Sequence, residues 1–140
     1  METLKELEHF FKRGYLDYRP EVTVDCAIFG YHDGALQLLL VKNKIITGWC
    51  LPGGYVKRNE NLDEAAARIT EERTGIGNLF LKQFKTFGEP GRNKVIDFDH
   101  ENFYTLTGIR TDEFDWLKVD AVSIGFYAIT DIVNTKPRAD

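Results

Sequence analysis

The chain has 140 residues, room for one domain with a hydrophobic core and none for a second. Hydrophobic residues make up 43%, charged residues 29%, and the formal net charge is −4, an ordinary balance for a globular domain. That acidity argues against DNA binding by this chain alone, because gripping a phosphate backbone needs a surplus of Lys and Arg.

Residues 1–19 read as an N-terminal helix and lead-in. Leu4, Leu7, Phe10 and Phe11 sit at helical spacing over 2–13, and Gly14 is the expected stop. From Val22 to Phe29, Val22, Val24, Cys26 and Ile28 alternate with Thr23, Asp25, Ala27 and Phe29, which predicts a strand buried on both faces or nearly so. Asp33-Gly34 is a hairpin turn signal, with 36–41 as the return strand. A loop over 43–48 leads to a short strand over 49–51 and then Pro52-Gly53-Gly54. A helix is expected from about Asn59, as N-cap, to Thr74, ended by Gly75. Residues 79–87 read as a strand and 88–91 as a turn. An insertion over 94–120 is rich in acids and aromatics, with Asp99 and Thr111 as candidate N-caps, and burial of its aromatics is expected. Residues 121–130 form a clear strand, followed by a polar tail.

The chemistry concentrates between Gly53 and Ile76. Glycines allow a tight turn and close approach to a ligand. In the helix that follows, Leu62, Ala65, Ala66 and Ile69 make an apolar stripe, while Glu60, Glu64, Arg68 and Glu72 recur every four residues. This unit resembles the Nudix box, G-x5-E-x7-R-E-U-x-E-E-x-G-U, running without a gap from Gly54 through Glu60 and Arg68 to Gly75 and Ile76, after a family-like Leu51-Pro52-Gly53-Gly54. The resemblance implies an α/β fold, a Nudix-type α/β/α sandwich with a mixed β-sheet. It also implies a box helix that holds Mg²⁺ against a pyrophosphate while water attacks phosphorus, because a hard dication takes oxygen ligands.

Three box glutamates that serve the metal in that family fall here on Ile69, Glu72 and Arg73. Only Glu72 is a carboxylate. Arg73 is a permanent cation, and about 4 Å from a dication it would be repelled by about 8 kcal/mol at an effective dielectric near 20. Glu71 is a weaker metal candidate, since it points about 100° away from Glu72 around the helix. Glu89, Asp97 and Asp99 in later loops are candidate rescue ligands, since some enzymes of the family that this unit resembles take a ligand from outside the box.

The broken box, with its Gly-Gly loop, Arg and middle Glu kept, resembles the Nudix-related transcriptional regulators, similar to the NAD-metabolism and arabinose regulators of Bacteroidetes. That resemblance implies an effector-binding domain for an ADP-ribose-like nucleotide, a nucleotide-sugar or a pentose, with hydrolysis weak or lost and a homodimer in the full-length form. The family's winged helix is not in this sequence. The family's domain continues past residue 130, so the sandwich is expected to be incomplete at the C-terminus, as a fragment or completed by a partner. The alternative is a working Mg²⁺-dependent hydrolase of nucleoside diphosphates linked to another moiety, with Glu72 catalytic; sensing requires no cofactor.

Candidate ligand residues are Gly53, Gly54, Tyr55, Arg68, Arg92 and Asp25. Each has a plainer reading. Arg68 bonds Glu72 one turn on, Glu60 and Glu64 are a solvated face, and Arg92 is either a phosphate clamp or a surface residue. Asp25, a carboxylate inside an apolar strand, needs partners: it accepts from a ligand or anchors a loop. Trp49 and Phe87 read as core aromatics. His9, His32 and His100 show no zinc spacing. Cys26 and Cys50 make no disulfide framework, and no stretch reads as a signal peptide or membrane span, so a cytoplasmic setting is expected.

Overall fold

A computed structural model describes residues 3–42, 48–92, 100–110 and 120–131. Helix α1 (Leu4–Asp17) opens on a capping box: the Glu6 N–H donates to Thr3 Oγ1 at 3.1 Å and the Thr3 N–H to Glu6 Oε2 at 3.3 Å. It runs through Gly14, where the sequence predicts a stop. Gly14 is buried, and this packing offsets the roughly 1 kcal/mol that glycine costs inside a helix. The helix ends where the Tyr18 N–H donates to the Gly14 carbonyl and the chain extends directly into β1 (Tyr18–His32).

Asp33 and Gly34 both have positive φ, 50° and 76°, which fits a tight hairpin into β2 (Ala35–Leu38). The return strand is shorter than expected. The Leu39 N–H still donates to the Ile28 carbonyl, but Val41 then turns to another partner, as β3 (Val41–Lys42) pairs with β4 (Trp49–Cys50) in a separate two-stranded ladder. Strand β5 (Gly53–Lys57) pairs antiparallel with the first half of β1. Strand β7 (Val122–Thr130) runs parallel to β1 over its whole length and antiparallel to β6 (Lys82–Phe87). The sheet is therefore mixed, in the order β2-β1-β7-β6, with β5 on β1.

Helix α2 (Leu62–Thr74) packs on this sheet. Its N-cap is Asn61, whose Oδ1 accepts the Glu64 N–H at 2.8 Å, two residues later than expected. Asn59 lies in a turn closed by Lys57 and Glu60: the Glu60 N–H donates to the Lys57 carbonyl and the Lys57 N–H to Glu60 Oε1. Gly75 ends the helix in the left-handed region, φ 79°, as expected. Small Ala65 and Ala66 bring α2 close, and with Ile69 they bury Val24, Cys26, Ile28, Val56, Ile124 and Phe126. By the alternation of a strand, Asp25 projects from the face opposite Val24 and Cys26.

A second core joins the N-terminus to the insertion. In α3 (His100–Thr107), Phe103 packs edge-on against Phe11 at 5.1 Å, with Ile109 beside them. Burial is met by Phe103, while Tyr104 stays partly exposed. Asp97, Asp99, Thr111 and residues 132–140 lie outside the described residues. No helix among the described residues is long and apolar enough to cross a membrane.

Candidate functional site

The loop–helix unit from β5 into α2 brings together most of the residues singled out by sequence. At its entry, a Cβ on Gly53 would collide with Asp25 Oδ1 and come within 3.1 Å of the Val24 carbonyl, so any larger residue there displaces the Asp25 carboxylate. The Asp25 carboxylate thus lies against the Gly53 backbone, and Ser123 Oγ on β7 donates to Asp25 Oδ2. Gly54 backs onto Ile69: a Cβ there would stand 3.4 Å from Ile69 Cγ1. One strand further, the Phe84 ring covers Gly125, which pairs in register with Asp25. Asp25, Ser123, Gly125 and Phe84 therefore form one continuous patch beside the glycine loop.

Arg68 is a structural hub. Its Nη2 and Nε donate to Glu60 Oε1 and Oε2 at 2.7 and 2.9 Å, Nη2 also donates to the Tyr55 carbonyl at 2.9 Å, and Nη1 to Glu72 Oε2 at 3.2 Å. The Arg68 and Glu60 side chains are only 18% and 12% exposed. The Arg68 hydrogen bond, reinforced by backbone donation and nearby charge, holds the Glu60 carboxyl below its usual range despite burial; the Glu60 hydrogen bond pushes Arg68 upward. Spacing suggested a solvated Glu60, since it gives no hint that a turn residue ahead of the N-cap folds back onto the helix. Glu64 is exposed, as expected.

The box positions for a cation carry three different things. Ile69 is 2% exposed, sealed in the core. Glu72 is 56% exposed and bonded to Arg68. Arg73, in the last turn of α2, turns its Nε–H onto the Gly53 carbonyl at 3.3 Å. Burial pushes the Cys50 thiol upward, and the Arg73 charge offsets part of this. Glu71 is exposed on the side of the helix nearer Gly77, and Glu89 is exposed in its turn. Among the described residues no three His, Cys, Asp or Glu side chains converge as a cation site. This donor set does not fit a divalent metal. It offers one carboxylate already in an ion pair, a hydrocarbon, and a cation at the glycine carbonyl.

Other candidates sit apart. Arg92 Nη1 donates to the Ala121 carbonyl at 3.2 Å, and the Gly91 N–H donates to Asp120 Oδ2 at 2.5 Å, which ties the 88–92 turn to the start of β7. Tyr55 is partly buried, its phenol pushed upward by burial, and its ring lies 6.2 Å from that of Phe10. Phe87 is partly buried. Trp49 is not the core residue expected: it is 66% exposed, because the β3–β4 ladder carries it away from the main sheet. It lines an open apolar groove of about 460 Å³ with Leu38, Leu40 and Ile76, which shares no lining residue with the Asp25–Gly53–Arg73 cluster. Sequence reading missed Ser123 and Phe84, which give no local signal, and counted Arg73 only as a lost ligand.

Comparison with known proteins bears on the family and the fold. The chain is 38% identical over 79 residues to the ADPR responsive transcriptional repressor NtrR of Acinetobacter baylyi, a match covering 53% of this chain and 32% of that protein. It is also 38% identical over 72 residues to a Bacillus subtilis protein provisionally named an 8-oxo-dGTP diphosphatase, covering 51% and 46%. These matches span less than half of each relative's own length. Among solved structures, the NUDIX domain of Shewanella oneidensis NrtR complexed with ADP ribose superposes with a TM-score of 0.58 at 21% identity, covering 84% of this chain and 64% of that one, a likeness of fold. The NUDIX domain family model matches residues 19–136, and the chain belongs to the Nudix family.

Proposed function

We propose that this domain binds an ADP-ribose-like nucleotide as the effector-sensing part of a transcriptional regulator, with hydrolysis weak or lost. The observation that carries this reading is the state of the cation positions: Ile69 in the core, Glu72 paired with Arg68, and Arg73 on the Gly53 carbonyl. The similarity to an ADP-ribose-responsive repressor supports the choice of ligand. Gly53, Gly54, Tyr55 and Asp25 are the proposed contact residues, and the domain works as a homodimer in the cytoplasm, with DNA contacts made by other segments. Sensing needs no metal; Mg²⁺ enters only if hydrolysis persists.

Calorimetric titration of the purified chain tests this. ADP-ribose binds with a dissociation constant below about 1 mM, and no phosphate or nucleoside monophosphate appears on long incubation with Mg²⁺. Absence of binding to ADP-ribose, nucleotide-sugars and pentoses alike refutes the reading. The second reading, a Mg²⁺-dependent hydrolase of nucleoside diphosphates linked to another moiety, is favoured by the Bacillus relative. It requires magnesium-dependent turnover that disappears in Glu72→Gln.

A further inference from the structure

We infer that the Arg73 guanidinium replaces a divalent cation in this domain and grips the diphosphate of the nucleotide directly, without metal. This rests on the ADP-ribose-like reading above and specifies how the site meets the ligand's charge. The first support is position. Arg73 is partly buried in the last turn of α2, and its Nε–H bonds the Gly53 carbonyl at 3.3 Å, which sets the guanidinium at the glycine loop. The second is charge. Arg68, five residues earlier, is matched by Glu60 and Glu72, whereas Arg73 makes no ion pair among the described residues. The neighbouring carboxylate, Asp25, is already held by the Ser123 hydroxyl.

The third support is geometry. With Nε on a backbone carbonyl, only that N–H meets a protein acceptor among the described residues, so the Nη1 and Nη2 fork remains for an anion. A guanidinium fork matches two phosphate oxygens at once, and such charge-assisted pairs strengthen where water is partly excluded. A partly buried cation without a contacting anion among the described residues is costly, and a diphosphate supplies one. The guanidinium also repels Mg²⁺, so the diphosphate is held without a bound metal beside Arg73.

The test is titration of the full chain with ADP-ribose in EDTA and in excess Mg²⁺. Wild type binds in both, with affinities within about threefold. Arg73→Gln weakens binding in EDTA by at least about tenfold, from loss of charged hydrogen bonds, and Arg73→Lys falls between. Thermal melts check that each variant folds; if Arg73→Gln does not, the wild-type metal comparison and Arg73→Lys still decide. Binding that requires Mg²⁺, or Arg73→Gln binding as tightly as wild type, overturns the inference and leaves the nucleotide-sensing reading standing. No binding of ADP-ribose under either condition overturns the inference, and failure of nucleotide-sugars and pentoses as well removes the nucleotide-sensing reading with it.

Discussion

Glu60 and Arg68 show how a single ion pair can hold a glycine loop in place. The carboxylate receives two guanidinium N–H groups and the Lys57 backbone N–H, so the turn, the helix and β5 are fastened at one point. Both side chains are largely shielded, and breaking the pair leaves a poorly solvated cation. Glu60→Gln is expected to destabilise the fold by about 1–3 kcal/mol, read by urea denaturation. The pH dependence has a definite sign. Because the folded-state pKa of Glu60 lies below its ordinary value of 4.5, its stabilisation is fully present above pH 4.5 and is lost as pH falls through the lowered pKa. Wild type therefore shows an acid-side loss of stability larger than that of Glu60→Gln.

At the level of elements, α2 illustrates what sequence reading can resolve. Its apolar stripe and Gly75 stop were legible, because period and a left-handed terminus leave local marks. Its start was misplaced by two residues, since Asn59 and Asn61 are equally good capping types and only the Glu60 turn decides between them. Asn61→Ala should cost about 1 kcal/mol in thermal or chemical denaturation, while Asn59→Ala stays within about 0.5 kcal/mol. The hairpin turn was equally legible from Asp33-Gly34. The ends of α1 and β2 were not, because a buried Gly14 and a change of partner at Val41 are tertiary facts that propensity does not contain.

Across the whole molecule, two cores divide the work. The main one seats α2 on the sheet, and the smaller one pins the N-terminal helix to the insertion through Phe11 and Phe103. Phe103→Ala is expected to lower stability by about 3 kcal/mol, near the low end for a buried aromatic because this cluster is small; differential calorimetry measures it. The candidate site was half legible. The glycine loop and the altered box lie within one local stretch, whereas Ser123 and Phe84 join it only through strand pairing. That pairing dictates the order of assembly. The Asp25–Ser123 link closes 98 residues of chain, and long loops are entropically slow to close. The Asp25–Ser123 patch can exist only after β7 has slotted in beside β1, so a nascent chain that stops short of β7 has its glycine turn and box helix but not the strand that holds Asp25 against them.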